Sequence, residues 1–149
     1  MDKRIVILAL ASFAMGTEAF VYAGHLTALA RETGVSIASA GQLAAAFAIT
    51  AAVSGPFIAG FVGRFERRSV ITLGLGLIGL LNIAAAFQSS FEALIAIRIL
   101  CGLAAGLVGP ISSVAAAELV PPEQRGKAMA LTLGGVTLAF VLGLSLIHI

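Results

Sequence analysis

Residues 5–29 read IVILALASFAMGTEAFVYAGHLTAL, an apolar run in which Glu18 and His25 are the ionisable side chains. A helix needs roughly 20 such residues to cross the hydrocarbon core of a bilayer. Because lipid offers the backbone no hydrogen-bond partner, the run is expected to be helical. A carboxylate inside such a helix is costly, and it usually faces a bundle interior or a wet cavity, where it binds ions, protons or substrate. The stretch therefore predicts a membrane helix with Glu18 as a functional residue.

The rest of the chain has the same apolar character. Hydrophobic residues make up 60% and charged residues 11%, and the mean hydropathy is +1.09, whereas a soluble domain carries roughly 25% charged residues. We therefore predict an all-α, multi-pass membrane protein that is embedded in a lipid bilayer. The apolar runs predict about five transmembrane helices, at residues 5–29, 38–62, 70–90, 93–117 and from 128 to 143 and beyond.

Basic residues are unevenly divided between the two sets of predicted loops, and this predicts an orientation. One side carries Arg31, and the other carries Lys3, Arg4, Arg64, Arg67, Arg68, Arg125 and Lys127. Lys and Arg accumulate on the cytoplasmic side of membrane proteins. We expect the N-terminus to be cytoplasmic.

Several functional classes do not fit this composition. The net charge of +2 comes from loop residues, so it does not indicate nucleic-acid binding. Cys101, His25 and His148 are isolated and show no metal-ligand spacing, so we expect neither a metal nor a cofactor. The chain shows no nucleophile–base set and no phosphate-binding loop, and we expect no enzymatic activity.

Two ionisable residues are expected at similar depth in the membrane. At about 1.5 Å per residue, Glu18 lies about 20 Å from Ile5, whereas Arg98 lies about 7 to 8 Å from the outer start of an antiparallel helix. In a core about 30 Å thick, both lie about 10 Å or less from the outer boundary. They could therefore pair across two helices.

The neighbours of this pair form two helical faces. Glu18, Tyr22 and His25 follow an i, i+4, i+7 spacing, so they share one polar stripe. We interpret this stripe and the face of Arg98 as the lining of one proton or substrate cavity. A static ion pair that fixes helix packing is the alternative, with Tyr22 and His25 near the outer interface, where amphipathic rings are common. Gly102 and Gly106 form a G-x-x-x-G pair that favours close helix packing.

At these residues the chain resembles the major facilitator superfamily, specifically its drug- and sugar-efflux proton antiporters. The run 16–20 followed by Ala23-Gly24 is similar to that group's first-helix signature. Leu94-x-x-x-Arg98-x-x-Cys101-Gly102-x-x-x-Gly106 resembles the fourth-helix motif, with Cys101 where the motif has glutamine. The run 121–128 is similar to the loop before the fifth helix.

Two further motifs extend this resemblance. Arg64, Arg67 and Arg68 match the basic positions of the family's G-x-x-x-D-R-x-G-R-R loop, although Gly63 stands at the acidic position; the resemblance implies a cytoplasmic gating loop. Gly134 and Gly143 match the first spacing of the fifth-helix antiporter motif, which implies a packing role. Its next glycine would stand at 147, where this chain has Ile147. Because residues 144–149 are also similar to a translated sequencing-library adapter, we expect them to be a non-native tail.

The resemblance implies that residues 1–143 form most of the N-terminal half of a twelve-helix fold in the inner membrane. It implies proton-coupled efflux of drug- or sugar-like small molecules by alternating access, with protons and a small-molecule substrate as ligands. The C-terminal half of the same transporter would then be the missing partner. A small oligomeric multidrug transporter and a non-transporting membrane interaction protein are the alternatives.

Overall fold

The computed structural model describes residues 3–62 and 65–147, and every regular element in these ranges is helical. The all-α prediction is confirmed. The helices are α1 (Lys3–Val21), α2 (Leu26–Thr33), α3 (Ile37–Val62), α4 (Arg67–Ala85), α5 (Phe91–Glu118) and α6 (Arg125–Ile147). Short 3-10 turns precede α2 (Ala23–His25) and α6 (Pro122–Gln124).

Five segments of the described chain are long and apolar enough to cross a membrane: Lys3–Val21, Ile37–Phe57, Arg67–Ala85, Phe91–Glu118 and Pro122–Leu142. Many of their large apolar side chains are exposed, and on α4 these form a stripe that includes Leu73 at 73% and Leu80 at 67% exposure. Such a surface would be unfavourable in water, so it indicates a lipid or protein environment. The chain is a multi-pass membrane protein.

The first predicted span differs from the structure, because residues 5–29 do not form one continuous helix. α1 ends at Val21, and the backbone N–H of His25 donates to the Tyr22 carbonyl at 3.2 Å, one residue short of the α-helical partner. The His25 ring instead contacts the Val21 carbonyl oxygen through Nδ1, at 3.0 Å. Gly24, a weak helix former, lies inside this turn. A side chain has therefore replaced a backbone donor at the end of α1.

The helices alternate in direction, so the bundle has two distinct ends. We call the end where α1 and α4 begin and α5 ends the Arg67 end, and the opposite end the His25 end. α5 contacts α1, α3, α4 and α6, and its buried residues make it the centre of the bundle. α3 packs mainly on α5, and α1 packs mainly on α6.

Glycines allow both of the main helix contacts. On α5, a Cβ at Gly102 would lie 2.7 Å from the Phe47 carbonyl oxygen, and one at Gly106 would lie 2.7 Å from that of Ala51. On α1, a Cβ at Gly16 would lie 2.7 Å from the Cβ of Ala139 of α6. These crossings are too close for any larger residue, as in other membrane bundles.

The glycines predicted on the fifth span have different surroundings. A Cβ at Gly134 would meet no atom of the described residues within 4 Å. The neighbouring Gly135 instead approaches α1, where its Cβ would collide with the Ala9 carbonyl oxygen. The α1–α6 crossing thus depends on Gly135, and the packing role expected for Gly134 is not seen in the described bundle. Gly143 lies where side-chain surroundings are not described.

Replacing Gly106 by alanine is expected to lower the free energy of unfolding by about 1–3 kcal/mol, the usual cost of overpacking. The added Cβ would collide with the backbone of α3, which cannot move aside as a flexible side chain can. The measurement is the loss of helical circular dichroism during chemical unfolding in detergent micelles. Gly79→Ala is the matched control, since a Cβ there meets nothing within 4 Å. Equal losses in the two variants would contradict the close approach of α3 and α5.

Candidate functional site

Glu18 of α1 and Arg98 of α5 meet inside the bundle. Nη1 of Arg98 donates a hydrogen bond to Oε1 of Glu18. Arg98 is fully buried and Glu18 is 8% exposed. The structure therefore brings together the two ionisable residues for which the sequence predicts a common depth.

The second carboxylate oxygen of Glu18 is held by α4. Nδ2 of Asn82 donates to Oε2 of Glu18 at 2.8 Å and to the Ile78 carbonyl oxygen at 3.0 Å. An amide nitrogen has two hydrogens, so both bonds can form at once. Two donors from different helices thus orient the carboxyl group.

The Arg98 guanidinium is also held by α3 and by two aromatic rings. Its Nε donates to the Leu43 carbonyl oxygen at 3.3 Å. The Tyr22 and Phe47 ring centroids lie 4.2 and 4.3 Å from its Cζ. Each distance is within the range of a cation–π contact, which strengthens when the cation is desolvated. Glu18, Tyr22 and Phe47 thus surround the charge of Arg98.

One donor of Arg98 is unsatisfied within the described residues. Nη2 is buried and has no hydrogen-bond partner there. A buried donor without a partner costs about 1–3 kcal/mol. A further acceptor at this nitrogen would therefore be bound favourably.

Tyr22 and His25 occupy different surroundings, although they share the predicted stripe. Tyr22 is buried against Arg98 and belongs to the site. His25 is exposed and bonds to the end of α1 instead of to the pair. Glu18 and Arg98 are buried, and His25 lines a cleft beside them together with Tyr22.

The predicted gating loop lies at the Arg67 end. Nη2 of Arg67 pairs with Oε1 of Glu118 at 2.5 Å, which joins the start of α4 to the end of α5. Both side chains are about half exposed, at 41% and 53%. Arg68 is exposed, and Arg64 lies outside the described residues. The loop thus contributes a surface ion pair about one bundle length from Glu18.

Sequence reasoning missed three contributors to the site. Glu18 and Asn82 lie equally far along α1 and α4, which both begin at the Arg67 end. The rise of a helix per residue therefore predicts their common depth. Phe47 and the Leu43 carbonyl carry no such signal. Phe is common in membrane helices, and any carbonyl can accept a hydrogen bond once a donor approaches it.

Comparison with known proteins identifies the family. The model of the major facilitator superfamily matches residues 6–149. The chain belongs to the major facilitator superfamily. This membership confirms the resemblance seen in the sequence, and a partial major facilitator fold agrees with the five apolar helices.

Several curated superfamily relatives match nearly the whole chain. A chloramphenicol resistance protein of Streptomyces lividans is 34% identical over 96% of this chain and 36% of its own length. A chloramphenicol efflux pump of Mycobacterium tuberculosis is 30% identical over 94% of this chain and 34% of its own. The MFS-type transporter YbcL of Bacillus subtilis is 31% identical over 96% and 37%. The chain spans about a third of the length of these relatives, all of which are named as transport or resistance proteins.

The superfamily match extends across both helices of the buried pair. Glu18 and Arg98 lie on α1 and α5, the first and fourth of the five spans. Inverted three-helix repeats in this superfamily make those two spans equivalent to each other. Each repeat unit therefore contributes one member of the ion pair.

Glu18→Ala is expected to lower the free energy of unfolding by about 3–5 kcal/mol, because it leaves Arg98 buried without a counter-charge. The measurement is again detergent unfolding of the purified chain. Glu118→Ala removes the partner of Arg67 from a half-exposed pair and is the matched control, with an expected loss below about 1 kcal/mol. A similar small loss for both variants would mean that Arg98 finds water or another acceptor in the native bundle.

Proposed function

We propose that this chain is the N-terminal part of a proton-coupled efflux transporter for small molecules. The observation that carries the proposal is the buried Glu18–Arg98 pair, completed by Asn82. An ionisable pair at membrane depth is expensive and marks proton or substrate pathways in membrane proteins. The match to about a third of each relative supports the view that a C-terminal half completes the transporter.

Glu18 is the proton site in this mechanism. Burial favours the neutral carboxyl group, whereas a guanidinium beside it favours the carboxylate. A change in the distance between Glu18 and Arg98 therefore changes the proton occupancy of Glu18. When Glu18 takes up a proton, its attraction to Arg98 weakens and the contact between α1 and α5 loosens.

This loosening links the proton to alternating access. α1 and α5 belong to the two repeat units of this half, and the Glu18–Arg98 pair is a buried ionic contact between them, whereas the Arg67–Glu118 pair is half exposed. The Glu18 carboxylate accepts hydrogen bonds from Arg98 and Asn82, and it can accept them equally from the donors of a substrate, whereas a protonated carboxyl group is a weaker acceptor. Proton binding and substrate binding can thus exclude each other at one carboxyl group, which is the condition for exchanging a proton for a substrate.

The relatives support a drug-like substrate. Two of them are named for chloramphenicol, a small neutral molecule with hydroxyl, amide and nitro groups. Such groups can accept hydrogen bonds from a guanidinium. We therefore assign small polar, drug-like molecules as the substrate class, with export from the cell as the direction.

The orientation follows from charge. Arg67, Arg68 and Arg125 lie at the Arg67 end of the bundle, as do Lys3 and Arg4. This excess favours a cytoplasmic location for the Arg67 end. The His25 end then faces the outside of the inner membrane, and the Glu18–Arg98 pair lies closer to that outer side.

Glu18→Gln in the full-length transporter is expected to abolish efflux that is driven by a pH gradient. Glutamine keeps an acceptor for Arg98 but cannot exchange a proton, so the fold is retained better than with alanine. The measurement is substrate accumulation in inverted vesicles with and without the gradient, normalised to the amount of transporter in the membrane.

Downhill exchange of substrate should persist in Glu18→Gln, and Glu118→Gln should behave as the unmodified protein. Gradient-driven efflux at the unmodified level in Glu18→Gln would overturn the assignment of the proton site. It would leave a static ion pair that fixes helix packing as the better account of Glu18 and Arg98.

A further inference from the structure

A cleft of about 450 Å³ opens at the His25 end, between the α1–α2 turn, α4 and the start of α5. Its polar lining consists of Tyr22, His25, Glu32, Asn82 and Gln88. This volume holds several water molecules, since each occupies about 30 Å³ in the liquid. The polar side chains supply the two to four partners that an ordered water needs.

Two lining residues also touch the buried pair. Asn82 faces the cleft and donates to Oε2 of Glu18 at 2.8 Å. Tyr22 faces the cleft and stacks on Arg98. Glu18 is therefore separated from the cleft by single side chains.

The opposite approach to Glu18 is closed by apolar packing. One turn towards the Arg67 end, Met15 and Ile78 are buried in the main hydrophobic cluster. Ala105 and Val108 of α5 continue this cluster in the same direction. Water is excluded from such packing, so the described bundle gives Glu18 polar surroundings on one side only.

We propose that this cleft is the route by which protons reach Glu18 from the outer side, and that Asn82 is the positioning residue at its inner end. The inference rests on the proposed proton-coupled function. In this conformation, Glu18 would exchange protons with the His25 end alone, through the cleft between α1, α4 and α5.

The proton transfer balances without another reactant. A hydronium ion in the cleft gives its proton to Oε2 of Glu18, which forms an O–H bond and leaves water. Nδ2 of Asn82 then faces a donor, so the amide rotates and its Oδ1 accepts the new O–H bond. An asparagine side chain suits both states, because it carries a donor and an acceptor.

Other titratable groups lie along this route on the neighbouring elements. Arg98 and the Cys101 thiol lie on α5, the Tyr22 hydroxyl follows α1, and His25 and Glu32 lie on the cleft wall. Arg31 lines a smaller hollow beside Glu32. Glu32 and His25 can concentrate or repel hydronium at the mouth, whereas Asn82 acts at the carboxyl group itself.

Thiol labelling tests whether the cleft contains water. Ala86 lines the cleft and is exposed there, whereas the nearby Ala84 is exposed but does not line the cleft. In liposomes containing the chain, a membrane-impermeant cationic thiosulfonate added at the His25 end is expected to modify Ala86→Cys at least tenfold faster than Ala84→Cys. The unmodified chain is the blank, because Cys101 is buried. Equal or reversed rates would overturn the proposal.

Protonation kinetics test the route directly. The infrared carboxyl band that disappears in Glu18→Gln reports the proton on Glu18, and its rise after a pH jump at the His25 end gives the rate. Ala86→Leu should slow this rise at least tenfold by filling the cleft, and Ala84→Leu should leave it unchanged. An unchanged rate in Ala86→Leu would overturn the proposal, and if that variant does not fold, the labelling rates decide.

The role of Asn82 has its own variants. Asn82→Leu should remove the fast rise, whereas Asn82→Ser, which keeps a donor and an acceptor, should retain it. A fast rise in Asn82→Leu would show that the amide does not position the carboxyl group. Because these measurements require no substrate, they remain valid if gradient-driven efflux proves independent of Glu18, and the two proposals fail separately.

Discussion

The Arg98 guanidinium is a full positive charge without solvent exposure, in a bundle whose outer surface is apolar. Its hydration is replaced by the Glu18 carboxylate, the Leu43 carbonyl oxygen and two aromatic faces. These groups come from α1, α3 and the turn after α1, while α4 holds Glu18 from behind through Asn82. The relative positions of four helices therefore depend on keeping one charge satisfied. Removal of any one partner is expected to lower the free energy of unfolding, because the buried charge is then less well compensated.

The distances in this network are short because the helices approach closely. Gly102 and Gly106 let α5 contact the backbone of α3, which brings the Leu43 carbonyl oxygen and the Phe47 ring within reach of Arg98. Gly16 and Gly135 do the same between α1 and α6. Small residues are the usual means of helix association in lipid, where apolar side chains gain nothing by leaving the solvent. In this protein the same residues also determine the geometry of the ion pair.

The two ends of the bundle differ in the chemistry that surrounds Glu18. Apolar packing closes the Arg67 side of Glu18, and polar side chains line the His25 side. The surface ion pair between Arg67 and Glu118 adds a contact between α4 and α5 on the closed side. The described conformation thus gives Glu18 a polar approach from the His25 end and an apolar barrier towards the Arg67 end.

The amino-acid sequence is sufficient to predict the class of the protein, the number of apolar spans, and the similar depth of Glu18 and Arg98. These follow from hydrocarbon thickness and helix rise, which depend on chain position alone. The tertiary structure decided which side chains complete the site. Asn82, Phe47 and the Leu43 carbonyl oxygen become partners only through helix rotation and close approach, and sequence periodicity does not specify either. The end of α1 at Val21 is also a tertiary-structure result, because hydrophobicity predicts a continuous helix there, whereas the His25 ring contacts the Val21 carbonyl oxygen.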